Sequence, residues 1–314
     1  MYNHMCNYVF NSVHNYLHSY LHNYVPRLHR AASLLFCIFT PIALAQVPDS
    51  NADREAMIAL GKQHASAEEL YNYFKEQANG GTGINYNNLP DWTGIYSAQF
   101  GVAGLGYDTA QVPGELPPAK LIPEQQAILE ERVRLANQGI EFDPLGRCEP
   151  PGTPRGLSEP FLREYAVTPD QTWLMNEVGP EIRRIYTDGR EHLHELDRFP
   201  TFDGDSIGFW EDDKLVIHTN QLRAGMYQRS QPNYSDDIEL VEIMQKRDDR
   251  TLIAHVWAYD SYLLEPWYTT KTYIKLTDPD NYLRIHYWYC FDNQNNNVEE
   301  QDDGSTQFTD FDFD

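Results

Sequence analysis

The stretch "YTDGREHLHE", Tyr186–Glu195, has the densest set of residues able to perform acid–base or metal chemistry. Asp188-Gly189 is a strong turn signal after the strand-like run "EIRRIYT". His192 and His194 follow, and side chains two residues apart share one face of an extended segment. Three interpretations are open: His192 as a base or substrate-orienting group, both histidines as metal ligands, or a rim histidine without a role.

A metal site would need a third ligand from another strand, for which His218, His255 and His286 are the candidates. A cupin-like metal site needs an acidic residue four or five residues after the second histidine, but Arg198 and Phe199 occupy those positions. The sequence also lacks a P-loop, a dinucleotide-binding glycine motif and a serine nucleophile elbow. We therefore predict no cofactor and no metal; if a metal is bound, His192 and His194 are the predicted ligands.

The elements that position these residues are mainly strands. From residue 162 onward the hydrophobic period is two, with short turns between runs at about 162–168, 171–178, 181–187, 206–211, 214–220, 238–247, 250–260, 267–276 and 281–291. A further strand is predicted over Asp91–Gly101. Short turns favour antiparallel neighbours, and a meander of this size normally closes to remove its edges. The predicted fold is mainly β, an antiparallel meander closing into a calycin- or lipocalin-like barrel, with two N-terminal helices.

The two helices are predicted over 49–77 and 122–137, both with apolar residues at helical spacing. The predicted organisation is a signal peptide with an over-long N-terminal region over 1–45 and a helical segment with linker over 46–90. A barrel domain over 91–293, with the second helix inserted, and an acidic tail over 294–314 follow.

Alternation within the late strands places large polar and aromatic side chains on shared faces. Glu242 is the polar member of an apolar face in "DIELVEIMQK", and Arg284 lies on a mixed face in "NYLRIHYWYC". We predict that Glu242 and Arg284 pair inside the barrel, with His255, Trp257 and Tyr259 of "LIAHVWAYD" on its wall. A purely structural ion pair with core histidines is the alternative.

The N-terminus has the pattern of an export signal. Arg27 and Arg30 precede an apolar run over 31–44, which is short for a membrane span, and "ALAQ" predicts cleavage after Ala45. A retained anchor is the alternative. We expect an exported bacterial protein, periplasmic or extracellular, without a membrane span after cleavage.

The charge balance limits the partners. The net charge is −23, and cleavage would remove two arginines and no acid. Such a chain repels nucleic acid and anionic lipid surfaces, so the predicted partner is a small-molecule ligand or substrate. The oligomeric state is not determined by these features. Cys148 and Cys290 would remain after cleavage, and a disulfide between them is the default in an oxidising compartment, with two independent thiols as the alternative.

Five blocks occur in one order: "FDPLGRCEPPGTPRG", "RRIYTDGREH", "GDSIGFWEDDKLVIHT", "YSDDIELVE" and "EPW". Together they resemble a broad group of secreted bacterial proteins of unassigned function, over roughly 142–293. The resemblance implies export and a β-rich fold but no activity. His192, Asp188, Arg190, Ser235, Asp236 and Glu242 match the group's blocks. Where the group has an aspartate, a histidine and a proline, this chain has His218, Tyr234 and Leu193.

The leading functional hypothesis is a cofactor-free lyase, isomerase or hydrolase acting on a small hydrophobic, aromatic or sugar-like substrate in the barrel lumen. A lipocalin-like carrier without catalysis is the alternative, and a histidine-ligated metalloenzyme is the second. The predicted catalytic residues are His192, His255, Glu242, Asp236 and Arg284. The predicted substrate-binding residues are Tyr186, Arg184, Arg190, Trp257, Tyr259, His286, Trp288 and Trp210.

Overall fold

The computed structural model describes residues 51–99, 118–179, 182–194, 197, 199–228, 231–278, 280, 282–286, 298–301 and 305–308. The predicted leader over 1–45, Trp288 and Cys290 lie outside the described residues. The predicted signal cleavage and the predicted disulfide therefore remain predictions.

Three helices are present among the described residues: α1 (Asn51–Lys62), α2 (Ala67–Gln77) and α3 (Pro123–Ala136). The single helix predicted over 49–77 is divided at Ser66. The Ser66 hydroxyl accepts a hydrogen bond from the Glu69 backbone N–H at 3.2 Å, and the Glu69 carboxylate accepts one from the Ala65 N–H at 2.8 Å. This capping arrangement starts α2 as a new helix at an angle that the helical period alone does not reveal. Helix α3 begins at Pro123, as the sequence predicts.

Fourteen strands are described: β1 (Ile95–Gln99), β2 (Ile140–Glu141), β3 (Leu162–Val167), β4 (Gln171–Asn176), β5 (Ile182–Tyr186), β6 (Asp205–Glu211), β7 (Lys214–Asn220), β8 (Gly225–Met226), β9 (Asn233–Tyr234), β10 (Glu239–Asp248), β11 (Thr251–Tyr259), β12 (Trp267–Lys275), β13 (Val298–Glu300) and β14 (Thr306–Phe308). Nine of them form a closed barrel in the order β1-β12-β11-β10-β7-β6-β5-β4-β3. The predicted mainly β fold with a closed barrel is confirmed.

Two features of the predicted meander are wrong. β5 and β6 pair in parallel and not antiparallel as predicted, because the chain returns over the long connection 187–204 and not through a short turn. A strand was also predicted over 281–291, but residues 282–286, the part of it that the structure describes, do not form a strand.

β1 pairs with both β12 and β3, so the barrel closes through β1 and leaves no free edge there.

Two small sheets lie outside the barrel. β13, β14 and β2 form a three-stranded sheet, and β8 pairs with β9. Part of the segment predicted as an acidic tail is therefore paired with residues of the connection that follows α3. Among the described residues, no helix is both long and apolar enough to cross a membrane.

The barrel wall has two covered faces. Leu240, Met244, Leu252 and Tyr273 belong to the buried cluster inside the barrel. The opposite face of β11 is covered by α1 and α2. There, the Trp257 indole N–H donates to the Met57 carbonyl at 2.9 Å, the Tyr259 hydroxyl donates to the Gly61 carbonyl at 2.8 Å, and the Phe74 ring lies 5.7 Å from the Trp257 ring.

Candidate functional site

The barrel interior contains a buried ion pair between Arg183 of β5 and Glu242 of β10. The two guanidinium N–H groups donate to the two Glu242 oxygens at 2.5 and 3.2 Å. Arg183 also donates to the hydroxyls of Thr219 at 2.8 Å and Ser206 at 3.3 Å. The predicted Glu242–Arg284 pair is wrong, since Arg284 is exposed and donates to the Leu283 carbonyl. Glu242 has no free oxygen for a substrate, and the pair has the geometry of a structural element.

Arg163 of β3 and Tyr273 of β12 lie beside this pair. The Arg163 guanidinium is 4.5 Å from the Tyr273 ring centre and donates to the carbonyls of Leu157 and Glu159. The Tyr273 hydroxyl also donates to the Leu157 carbonyl, at 3.0 Å. Arg163 and Tyr273 are almost fully buried, so these two side chains pack against one another inside the barrel.

His255 and Trp257 face the helices and not the barrel interior, which corrects their predicted place on the inner wall. The His255 Nδ1 is 2.7 Å from the Tyr268 hydroxyl, and the imidazole lies beside the Trp257 and Tyr268 rings, with ring centres 6.3 and 6.1 Å away. Desolvation lowers the pKa of His255 to about 4. A neutral, fully buried imidazole without access to solvent cannot exchange protons with a substrate, so the predicted role of His255 as base has no support.

The predicted residue His192 joins a chain of acids and imidazoles on the outer side of the barrel. Its Nδ1 lies 2.8 Å from the Asp205 carboxylate at the start of β6, and its Nε2 lies 2.9 Å from Nδ1 of His218 in β7. Nε2 of His218 lies 3.1 Å from the Glu239 carboxylate at the start of β10. The Tyr71 ring of α2 stacks on His218 at 5.5 Å. We call Asp205, His192, His218 and Glu239 the histidine relay.

The histidine relay is a continuous chain of three hydrogen-bond contacts. In each histidine, either ring nitrogen can donate or accept, depending on the tautomer. The relay therefore connects Asp205 to Glu239 through two imidazoles.

Glu239, the last member of the histidine relay, also lines a surface pocket of about 480 Å³. The pocket lies between the α1–α2 junction and the loop that joins β11 to β12. Its walls are formed by His64, Ala65, Ser66, Ala67, Asp237, Glu239, Tyr259, Asp260, Ser261, Leu263, Leu264, Glu265 and Pro266. At the rim, Glu265 is neutralised by Lys62 at 2.8 Å and Lys120 at 2.7 Å. We call this the acidic pocket.

Two carboxyl groups of the acidic pocket have pKa values displaced in opposite directions. The buried Ser235 hydroxyl contacts Asp237 and lies 2.8 Å from Asp260. Burial raises the pKa of Asp260, although its carboxylate accepts hydrogen bonds from the Tyr262 and Ser235 backbone N–H groups. Desolvation opposes ionisation of Asp237, but hydrogen bonds from Ser235 and Ser261 outweigh it and lower its pKa. The two shifts make Asp260 the easier of the pair to protonate and Asp237 the easier to ionise, within the same space.

Asp236, the acid chosen from the sequence, and Asp237 are both exposed, but it is Asp237 that contacts Ser235 and joins the pair. The one-residue difference follows from local geometry. The Ser235 backbone N–H and hydroxyl both bind Asp260 across the barrel end, and this orientation turns the side chain two residues on toward the pocket.

The other predicted substrate-binding residues are dispersed. Arg190 binds Asp188 at 2.6 Å and covers the Tyr186 ring at 3.9 Å, Arg184 is exposed over Trp173, and His286 is exposed. Trp210 lies inside the barrel with its ring 5.1 Å from that of Trp92. Of the predicted binding set, Tyr259 alone lines the acidic pocket.

The predicted metal pair does not converge. His192 faces Asp205 and His218, whereas His194 is exposed. Within the described residues, no group of three or more histidine, cysteine, aspartate or glutamate side chains has an arrangement that could hold a metal ion.

Sequence reasoning missed Asp205, Glu239, Asp237 and Asp260 as site residues. Each lies at or next to the end of a strand, where acidic residues are also common for solubility, so residue type carries little signal. The turn at Asp260 gives such a sequence signal, because an aspartate followed by two small or polar residues favours hydrogen bonds from the backbone to its side chain.

No protein-family model matches the chain, and the comparison with curated proteins finds no match. The geometry of the described residues is therefore the basis for a functional assignment.

Proposed function

We propose that the protein is a cofactor-free acid–base enzyme whose substrate binds in the acidic pocket, and that the substrate is a small, neutral, sugar-like molecule. The observation that carries this proposal is the pair Asp237 and Asp260, two adjacent carboxyl groups in one pocket with pKa values displaced in opposite directions. Hydrolases and lyases need one group to donate a proton and another to accept one at the same bond.

The two aspartates take different roles. Asp260, the more buried, is the proton donor, and Asp237, held ionised by hydrogen bonds from Ser235 and Ser261, is the base. Ser235 is a positioning residue, since its hydroxyl touches both carboxyl groups and sets their separation.

Glu239 adds a third carboxylate, which the histidine relay contacts. Nε2 of His218 lies 3.1 Å from the Glu239 carboxylate, and Nδ1 of His218 lies 2.9 Å from Nε2 of His192. His192 therefore acts through Glu239 and not on the substrate directly.

The pocket walls favour a neutral polar substrate. Asp237, Glu239 and Asp260 repel anions, and carboxylates bind hydroxyl groups well. Tyr259, Leu263 and Leu264 supply an apolar surface that a sugar ring can cover. Glu242 is buried with both carboxylate oxygens bound to Arg183, so the proposed acid–base chemistry belongs to this pocket and not to Glu242.

The test is a comparison of Asp237→Asn and Asp260→Asn with Asp236→Asn, assayed on a panel of nitrophenyl glycosides over a range of pH. We expect turnover to fall by about 10²–10⁴-fold in the first two variants, as for loss of a general acid or base. Asp236→Asn, the exposed neighbour, should keep full activity. Equal activity in all three variants, or no turnover of any panel member, would contradict the proposal.

We also propose that the chain is exported, with cleavage after Ala45 and a Cys148–Cys290 disulfide, on the strength of the N-terminal pattern and the number of cysteines. Intact-mass measurement of the secreted protein with and without reductant tests both: the expected species begins at Gln46 and gains two hydrogens on reduction.

A further inference from the structure

Lys271 of β12 is an inward-facing lysine that the proposed function does not use. It pairs in register with Ala254 of β11 and lies two residues before Tyr273, whose buried ring packs inside the barrel. Side chains two residues apart in a regular strand share a face, so the Lys271 side chain enters the barrel. Lys271 is partly exposed, so part of its side chain can be approached from solvent, while its surroundings still desolvate the amine.

The charges around Lys271 do not balance. Arg163, Arg183 and Lys271 all point inward from the middle of the barrel wall. Among the inward-facing positions of the described barrel strands, Glu242 is the only acid. Arg183 binds both Glu242 oxygens, so that acid neutralises Arg183 and not Lys271.

Arg163 is accommodated by other means, because it donates to two carbonyls and covers the Tyr273 ring. The Lys271 amine forms no hydrogen bond or ion pair with any described residue. An enclosed ammonium without a partner, beside another cation, is strongly disfavoured. Two outcomes relieve it: loss of the proton, or the arrival of an anion.

The electrostatic surroundings of Lys271 favour loss of its proton and also attract an anion. Desolvation and, to a smaller extent, repulsion by Arg163 lower the pKa of Lys271 to about 8. A sizeable fraction of the amine is then unprotonated near neutral pH, whereas an ordinary lysine with a pKa near 10.4 is almost entirely charged. Desolvation next to a second cation is a known way of making a lysine nucleophilic.

We propose that Lys271 is a nucleophilic amine that forms an imine with the carbonyl group of a small 2-oxo carboxylate entering the barrel. The neutral amine attacks the carbonyl carbon, so that a C–N bond forms and the C–O π electrons move to oxygen, which takes up one of the two amine protons. The carbinolamine then loses its remaining nitrogen proton and its hydroxyl group, together one molecule of water, to give the imine. Protonation of the imine gives a cation whose charge the bound carboxylate offsets, and Arg163 adds further attraction for that carboxylate.

This site is separate from the acidic pocket. The residues that line that pocket do not include Lys271, Arg163 or Tyr273. If the aspartate variants keep their glycoside turnover, the lysine proposal is unaffected. If Lys271 forms no adduct, the proposal for the acidic pocket is unaffected.

The test is incubation of the whole protein with pyruvate and sodium cyanoborohydride near pH 7.5, followed by peptide mapping of the reduced adduct. The matched control site is Lys275, on the same strand and the same face but at the barrel end. We expect Lys271 to be labelled at least about tenfold faster than Lys275, because far more of its amine is neutral. The mapping is done on the wild type and does not depend on the folding of a variant.

Two further measurements complete the test. Lys271→Arg should lose the adduct while Lys275→Arg keeps it. Acetone, which has the carbonyl but no carboxylate, should label Lys271 several times more slowly than pyruvate. Equal labelling of Lys271 and Lys275, or no adduct at Lys271, would overturn the nucleophile; equal rates with acetone and pyruvate would overturn the 2-oxo carboxylate as substrate class.

Discussion

The inner and outer faces of the barrel wall bury polar groups in different ways. On the inner face, Arg183 and Glu242 remain charged and satisfy one another, with help from Thr219 and Ser206. On the outer face, beneath α1 and α2, His255 is buried among aromatic rings with one partner, and burial keeps it neutral. A pair of charges can be buried if each is the other's partner, whereas a lone ionisable group in the same surroundings loses its charge.

The difference also explains where chemistry is possible. The Arg183–Glu242 pair inside the barrel has no carboxylate oxygen left for a substrate, and the neutral His255 imidazole beneath the helices has no access to solvent. Incomplete arrangements occur in the acidic pocket, with its divided aspartates, and at Lys271, which has no counter-ion among the described residues. Ionisable groups that have shifted pKa values and that solvent can reach are the ones that can act on a substrate.

The largest expected effect is at the inner face. Glu242→Gln removes the charge but keeps the shape, so that Arg183 remains buried without its counter-ion. We expect a loss of about 3–5 kcal/mol in the free energy of unfolding, measured by urea denaturation. Glu239→Gln, at a partly exposed position, should change it by less than about 1 kcal/mol. The double variant Arg183→Met/Glu242→Leu should recover much of the loss, and a double variant as unstable as Glu242→Gln would show that the pair is not the cause.

The next effect is a pH dependence at the outer face. The pKa of His255 is about 4 in the folded state and about 6.5 in the unfolded state, so the unfolded chain takes up a proton first as the pH falls. Stability is therefore lost as the pH falls from about 6.5 to 4, by about 3 kcal/mol for this fully buried group. His255→Asn does not titrate and should show a correspondingly shallower loss over that window, whereas the exposed His286→Asn should follow the wild type. Parallel pH profiles for His255→Asn and wild type would argue against a buried neutral imidazole.

The smallest effect concerns the packing of α1 on the outer face. A Cβ atom added at Gly61 would lie 2.6 Å from Cδ1 of Trp257, which is too close. Over-packing costs about 1–3 kcal/mol, and the better helix propensity of alanine returns about 1 kcal/mol. Thermal unfolding should therefore show Gly61→Ala to be destabilised by about 1 kcal/mol, with relief when Trp257→Phe is added. Gly83→Ala, where an added Cβ meets nothing within 4 Å, is the control and should be neutral.

Several elements could be predicted from residue order alone. The period-two runs from Leu162 to Lys275 identified eight of the nine barrel strands, because alternation and turn residues are local properties. Helix α3 was predicted for the same reason. His192 was identified as a candidate because it and His194, two residues apart, share a face in the densest polar stretch of the sequence.

The sequence by itself determined the strands, the helices and the residue types that share each face. Only the tertiary structure decided which face is the interior, because both faces of β10 and β11 are covered and alternation cannot rank two buried faces. That is why His255 and Trp257 were assigned to the wrong side. Pairing partners also lie beyond local patterns: Arg183 and Glu242 are 59 residues apart, and their contact depends on the closure of the barrel.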